Sequence, residues 1–224
     1  TALLTSNVLL VPYSAHHVPT YHEWMQDADL QALTASEPLT LTQEHSMQKS
    51  WRTDADKLTF ITCRSPFIPT IATAAPPPPP STITAGEPDT PQTMIGDINL
   101  FLTPCTDSSP SSDEENKDAQ DTDDENPHAI VGEIEIMIAD PLARGQGLGK
   151  EILLTFLWYI LSSAPRLMDE YDHQYHQKGK RSSNLHYLRV KIDQNNTRSV
   201  RLFETVGFVK VSEKANFFGE VELR

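Results

Sequence analysis

Apolar residues recur in two rhythms along the chain, and the switches between them mark its elements. NVLLVPY, residues 7–13, is a near-continuous apolar run ended by Pro12, the pattern of a first strand. In HHVPTYHEWMQDADL, residues 16–30, Tyr21, Trp24 and Met25 return at helical spacing, so a helix is expected next. A second helix is predicted after TASEPLT, with Thr42 as its cap and Met47 and Trp51 on its buried stripe. KLTFITCR (57–64), TMIGDINLFL (93–102) and AIVGEIEIMIA (129–139) read as strands. HYLRVKID (186–193) alternates through Leu188, Val190 and Ile192; NTRSVRLFETVGF is a short helix stopped by Gly207; FVKVSE and NFFGEVELR close the chain as two strands.

The strand at 129–139 carries the most information. Period two places Ile134, Ile136 and Ile138 on one face and Glu133, Glu135 and Met137 on the other. One face is dry, the other chemically equipped. The helix that starts near Gly147 is apolar almost all round from Ile152 to Leu161, as a helix covering a sheet must be. Strand, crossover helix and strand between 130 and 193 imply a parallel pair within otherwise antiparallel strands. The expected fold is therefore α/β: a mixed, mostly antiparallel sheet with one parallel strand pair flanked by helices, formed as a single domain over 1–224.

Three segments interrupt this pattern and are expected to be disordered insertions. Residues 64–93 hold most of the proline, including five in a row at 76–80; 103–127 are acidic; 165–183 are polar. About 170 to 180 residues remain to build one core. The strands on either side of the acidic segment should form a long-loop hairpin. Residues 107–125 set nine acidic side chains against one lysine, a local balance of −8, so the remainder carries only −5 of the net −13. Such a segment reads as a solvated loop or as a docking tail for basic partners. The acidic balance and the shortness of KGKR (178–181) argue against nucleic acid, and no apolar run reaches the roughly 18 to 20 residues of a membrane helix. Two isolated cysteines, Cys63 and Cys105, suit a reducing compartment. No secretory leader opens the chain, whose first residue is Thr1 rather than Met; the expected location is the cytoplasm.

DPLARGQGLGKE, residues 140–151, puts Gly145, Gly147 and Gly149 between the 129–139 strand and the apolar helix. Glycine permits positive φ and close backbone approach, and a helix start offers free N–H groups, which together suit a pyrophosphate. A tight strand-to-helix turn is the plainer reading, though one glycine usually suffices for it. A Walker loop is disfavoured, because position 144 is Arg and 151 is Glu; a dinucleotide fingerprint is disfavoured by the Gly-x-Gly-x-Gly spacing deep in the chain.

RGQGLG, Arg144 to Gly149, resembles the Gln/Arg-x-x-Gly-x-Gly/Ala coenzyme A loop of the GCN5-related N-acetyltransferase superfamily. NNTRSVRLFETVGF resembles the downstream Asn-x-x-Ser helix of its ribosomal-protein-acetyltransferase-like branch, with Asn196 and Ser199 at the motif positions. YHEWM, the stretch from LTASEPLT to KLTFI, and GEIEIMIADP are similar to the eukaryotic N-acetyltransferase-9-like proteins. The resemblance implies that acetyl-CoA is the co-substrate, without a metal. It implies that amides around Gln146, Gly147, Leu148, Gly149 and Lys150 hold the pyrophosphate, that Arg144 and Lys150 add positive charge, and that a backbone N–H at Met137 or Ile138, where the strand bulges and splays, meets the oxyanion. Asn196 can equally be a helix cap.

Acetyl transfer needs a base for the amine. Glu133 and Glu135 share the polar face; Glu133 aligns with the family's glutamate and is the first choice, Glu135 the second, and a salt-bridged surface carboxylate is the competing role for either. Relatives carry a tyrosine where this chain has Phe203, which cannot protonate a thiolate. His16, His17, His22, His173 and His176 lack a third ligand at zinc spacing. The resemblance points to an acetyl-CoA-dependent N-acetyltransferase acting as a monomer on a protein or peptide amine, an α-amine or a lysine, and implies a tubulin or microtubule connection. Phe203 keeps open a binding module that retains the fold without turnover, and acceptor loops that one sequence does not decode keep open a small-molecule amine.

Overall fold

The computed structural model describes residues 1–66, 82–105, 128–175 and 182–224. The centres of the proline-rich and acidic insertions, and KGKR, lie outside the described residues.

A single sheet forms the frame. Its strands are β1 (Leu3–Leu4), β2 (Val8–Pro12), β3 (Lys57–Arg64), β4 (Met94–Pro104), β5 (His128–Ile138), β6 (Ser183–Asp193) and β7 (Glu220–Leu223), laid side by side in chain order. Every neighbouring pair is antiparallel except β5 and β6, which are joined through a helix and run parallel, as the pattern predicted. The expected hairpin across the acidic insertion is β4–β5, in register from Gly96 opposite Ile138 to Pro104 opposite Ile130.

Alternation along the strands sends side chains into two apolar layers. On one face α4 (Leu148–Tyr175) and α5 (Thr197–Thr205) cover Ile98, Leu100, Ile134 and Val190. On the other, α1 (Val18–Trp24), α2 (Ala28–Leu33) and α3 (Leu41–Thr53) cover Leu9, Val11, Ile61 and Met137. Glu133 and Glu135 share the parity of Met137 and so lie on the α1–α3 side.

Several local expectations need correction. The first predicted helix is two, α1 and α2, because Asp27 caps a new start by accepting from the Asp29 and Leu30 amides. The cap of α3 is Thr40, not Thr42: Thr40 and Gln43 satisfy each other's backbone in a capping box. The supposed insertion at 165–183 is helical to Tyr175. Pro165 removes one helical hydrogen bond, yet Met168 and Tyr171 bury on the α4 face beyond it, Asp172 accepts from the Ser183 amide at 2.7 Å, and Gln174 accepts from the Ala55 amide at 2.7 Å. Residues 82–93, placed within the proline-rich excursion, dock through Asp89, which is 2% exposed and bonded to His16 and His17. FVKVSE forms no full strand; Val209 and Val211 reach the last strand through amide bonds to Arg224 and Glu222.

Candidate functional site

The β5–α4 connection shows what its glycines do. Gly145 and Gly147 have φ of +74° and +81°, where a side chain would strain the backbone, while a Cβ at either would meet nothing within 4 Å. Their value is conformation, and the side they leave open is free for a ligand. Gly149 is different: its φ is ordinary, and a Cβ there would come within 3.4 Å of Leu202 on α5. The turn delivers the amides of Leu148 and Gly149 to the first turn of α4, where no preceding helical carbonyl can accept them. Gln146 folds back, donating to the Leu142 carbonyl and accepting from Arg64 at 3.3 Å, so its side chain leaves the loop clear. Lys150 is exposed beside it. Arg144 instead braces the strand end, with Nε donating to the Ile138 carbonyl at 2.9 Å and a terminal nitrogen to Ala139 at 3.2 Å.

Next to this loop the sheet opens. Parallel pairing of β5 with β6 ends at Glu133 opposite Arg189, and from Val190 onward β6 pairs with β7. The register shift between β5 and β6 lies between Ile130 and Val131, where β6 carries one extra residue, His186; at Met137 and Ile138 β5 keeps its register with β4 but has parted from β6, and just beyond, the Ala139 and Asp140 amides share the Ile95 carbonyl. Beyond Glu133, β5 therefore presents an unpaired edge. Ala139 donates to the Ile95 carbonyl, so odd-numbered residues of β5 turn their backbone groups towards β4 and even-numbered ones towards the opening. Of the two sequence candidates, Met137 has its amide turned into the sheet towards Asp97, whereas the Ile138 amide, with that of Ile136, faces the gap.

A cleft of about 530 Å³ leads into this gap, lined by Tyr21, Asp97, Asn99, Glu135, Lys191 and Phe218 among others. Glu133, also on its wall, is engaged: Arg189 Nε lies 2.8 Å and Lys191 Nζ 3.2 Å from its Oε2. Glu135 has no hydrogen bond or ion pair among the described residues. Its side chain is exposed to solvent through the open cleft, while protein crowds the carboxyl from the remaining sides. The desolvation from that crowding, reinforced by the charges of Asp97, Glu133 and Glu220 against the opposing charge of Lys191, pushes it up to about 7. Asp97, 2% exposed beneath, is pushed up to about 6 by burial despite hydrogen bonds from Asn99 and Tyr21. A carboxylate poised near neutrality beside a free strand edge and a helix-start anion cradle is suited to removing a proton from a nucleophile during acyl transfer.

The model of the GNAT acetyltransferase domain matches residues 7–209, nearly the whole chain. The chain belongs to the GNAT acetyltransferases. Over its full length it is 38% identical to the alpha/beta-tubulin-N-acetyltransferase 9 of Drosophila melanogaster, covering 85% of that protein, and 38% identical to the human protein of that name, covering 82%. It is 39% identical to an N-acetyltransferase 9-like protein of Schizosaccharomyces pombe, covering 94% of it. Among solved structures, the fold resembles that of spermidine N-acetyltransferase from Vibrio cholerae in complex with CoA and spermine, at TM-score 0.56 and 13% identity over 98% of this chain and 94% of the other. It also resembles an aminoglycoside acetyltransferase in complex with coenzyme A, at TM-score 0.52 and 16% identity over 97% and 94%. This protein is an N-acetyltransferase by family.

The remaining candidates fall around the acetyltransferase cleft. Asn196 caps α5, its Oδ1 accepting from the Ser199 amide at 3.2 Å, and both residues border the cleft, so capping and site lining coincide. Phe203 is fully buried, edge-on to Phe208 at 5.2 Å, and brings no hydroxyl. His16 and His17 do meet a third ligand type, Asp89, at 2.9 Å each. His17 Nδ1, however, accepts from the Ser14 amide, so its Nε2 carries the proton and donates to Asp89, the tautomer of a hydrogen-bonded clasp. Burial, helped by neighbouring His16, holds His17 down to about 4, so it stays neutral. Sequence reasoning missed Tyr21, Asp97, Asn99 and Lys191; the polar pair at alternate positions of the otherwise apolar GDINLF was the available signal.

Proposed function

We propose that the acetyltransferase moves the acetyl group of acetyl-CoA to the amine of a protein or peptide acceptor, with Glu135 as the base. The observation that carries this reading is a carboxyl without hydrogen-bond or salt-bridge partner among the described residues, near 7, on the cleft face of β5, next to Glu133, which two cations already engage. The sequence pattern favours Glu133 as base; its two ion pairs support Glu135 instead.

The coenzyme fits the residues present: Gly145 and Gly147 adopt the turn it needs and leave their open side clear, and the start of α4 offers the amides of Leu148 and Gly149. When bound, it supplies an activated acyl group. Lys150 adds positive charge to the cradle, and Arg144 holds the carbonyls of Ile138 and Ala139 so that the Ile138 amide keeps its aim across the gap, where it can donate to a developing oxyanion. Glu135 takes the amine's proton. Its ionised fraction rises with pH through about 7, so a rate that depends on it falls as pH drops below that value. Phe203 contributes no acid, and water reaching the open cleft protonates the leaving sulfur.

The acceptor is proposed to be tubulin, on the strength of relatives named as alpha/beta-tubulin N-acetyltransferases at 38% identity over the full chain. Two free thiols, Cys63 and Cys105, support a reducing compartment and hence the cytoplasm; we read the protein as a monomer. The test is acetyl transfer to purified α/β-tubulin and to a peptide library bearing free α-amines and lysines, with mass spectrometry of the products. Acetylated tubulin is expected. Acetyl-CoA binding without transfer above background to any acceptor would replace the enzyme reading by a binding module, and transfer only to polyamines would move the acceptor to small molecules.

A further inference from the structure

The floor of the cleft is one cross-strand row. Thr59 of β3 lies opposite Asn99 of β4, and Asn99 lies opposite Glu135 of β5, so their side chains share the α1–α3 face. Asp97, two residues along β4, shares that face. Asn99 is 4% exposed, and both it and Asp97 border the cleft. Tyr21 Oη donates to Asp97 Oδ2 at 3.2 Å, and Asn99 Nδ2 donates to the same oxygen at 3.0 Å. These bonds set the amide's orientation: nitrogen towards the carboxylate, oxygen away from it. Asn99 Oδ1 then has no hydrogen-bond partner among the described residues, although it is buried. Asp97 takes the Tyr21 hydroxyl proton and one of the two N–H donors of Asn99, and the free Asn99 Oδ1 with the neighbouring carboxylates offers a ligand acceptors backed by negative charge.

We propose that Asn99 and Asp97, with Glu135 above them, form a subsite for a primary ammonium group, so that the acceptor amine enters as its cation and loses its proton only after docking. The proposal rests on reading Glu135 as the base. An ammonium brings three N–H donors and a positive charge; an alcohol brings one donor and no charge, and leaves the remaining acceptors unpaired. Ammonium and carboxylate then become neutral amine and carboxylic acid, freeing the lone pair where the acyl group is presented. The other charged groups facing the floor are compatible. Glu133 on β5 is neutralised by Arg189 and Lys191, Asp193 on β6 and Glu220 on β7 add negative charge on the far wall, and Glu44 on α3 does so from above. Lys191, the lysine of the lining, is held by Glu133.

The experiment is a protein-observed NMR titration of the full chain at pH 8, without acetyl-CoA, using n-butylammonium and n-butanol as paired probes. Butylammonium is expected to bind at least tenfold more tightly than butanol and to shift the amide signals of 97–99 and 135. Asn99→Leu, similar in size but without the acceptor, should lose at least tenfold in butylammonium affinity while butanol and coenzyme A bind as before. Asp97→Asn, which can still accept from Tyr21, should weaken butylammonium in the same direction. Equal binding of the two probes to the unaltered protein, or shifts confined to other regions, overturns the subsite whether or not the variants fold. A preference that survives Asn99→Leu also overturns it and makes Asn99 Oδ1 the seat of a structural water. The base assignment is read separately from turnover of Glu135→Gln: full turnover there with lost cation preference in Asn99→Leu removes the base and leaves the subsite, and the opposite pair of results does the reverse.

Discussion

The β5–α4 loop and the β4–β5 cleft face are neighbours along the C-terminal half of one strand and solve different problems by different means. The loop offers its ligand main-chain amides, so it depends on backbone conformation: positive φ at Gly145 and Gly147, side chains of Gln146 and Arg144 turned to other tasks. The cleft works through side chains whose properties are set by neighbours from other strands. Glu133 and Glu135 are two residues apart on the same face, yet Arg189 and Lys191 neutralise one while burial among carboxylates raises the other. A backbone site should tolerate side-chain changes and fail on changes of φ; a side-chain site should do the opposite, and unequally between look-alike residues.

The sharpest break would come from the two glutamates. Glu135→Gln removes the base and is expected to lower kcat/KM about 10²- to 10⁴-fold and to abolish the fall in rate below about pH 7. Glu133→Gln leaves Arg189 and Lys191 without their partner but spares the base, so a loss within about tenfold is expected, with the pH limb kept. Steady-state pH profiles of the two variants decide it; if Glu133→Gln loses the limb and Glu135→Gln keeps it, the roles are exchanged.

How far these differences can be read before folding depends on where their causes lie. The loop was legible because its determinants are consecutive: three glycines at alternate positions after an apolar strand and before an apolar helix. The β4–β5 hairpin and the single parallel pair were legible from a similarly local pattern. The ranking of Glu133 over Glu135 was not, because Arg189 and Lys191 reach Glu133 through a cross-strand alignment that depends on the extra residue at His186. Asn99 and Asp97 were hidden in a segment read as a plain apolar strand; only pairing with β3 and β5 shows that their face is the cleft floor. Pro165 misled in the other direction, since the burial of Met168 and Tyr171 that carries the helix past it is tertiary.

At the loop, Gly147→Ala should weaken acetyl-CoA about ten- to a hundredfold, because φ of +81° strains an L-residue by roughly 1–3 kcal/mol and relaxing that strain turns the amides away. Gln146→Ala should stay within about threefold, since its side chain points back to Leu142 and Arg64 while its amide is untouched. Calorimetric titration with acetyl-CoA measures both. A larger loss for Gln146→Ala than for Gly147→Ala would mean that side chains, not the main chain, hold the coenzyme.

The smallest expected effect concerns what the loop stands on. Glu151, in the first turn of α4, accepts hydrogen bonds from the Thr5 hydroxyl and from the Asn7 amide and side chain, tying the β1–β2 turn to the helix that begins the cradle. Burial works against its charge, but those hydrogen bonds outweigh it and hold the carboxyl below the usual range. A depressed folded-state value means that the stabilisation is present above the unfolded value of about 4.3 and fades as pH falls through the folded one. Glu151→Ala should therefore cost about 1–2 kcal/mol at pH 7, with the gap from the unaltered protein closing as the pH is lowered below 4. Denaturant melts at the two pH values measure it. Because the amides of the loop are supplied by backbone that Glu151 supports without touching the ligand, acetyl-CoA affinity should fall only about two- to threefold in this variant. A loss as large as that of Gly147→Ala would show that the conformation of the cradle is imposed by its anchorage to β1 and β2 rather than by its glycines.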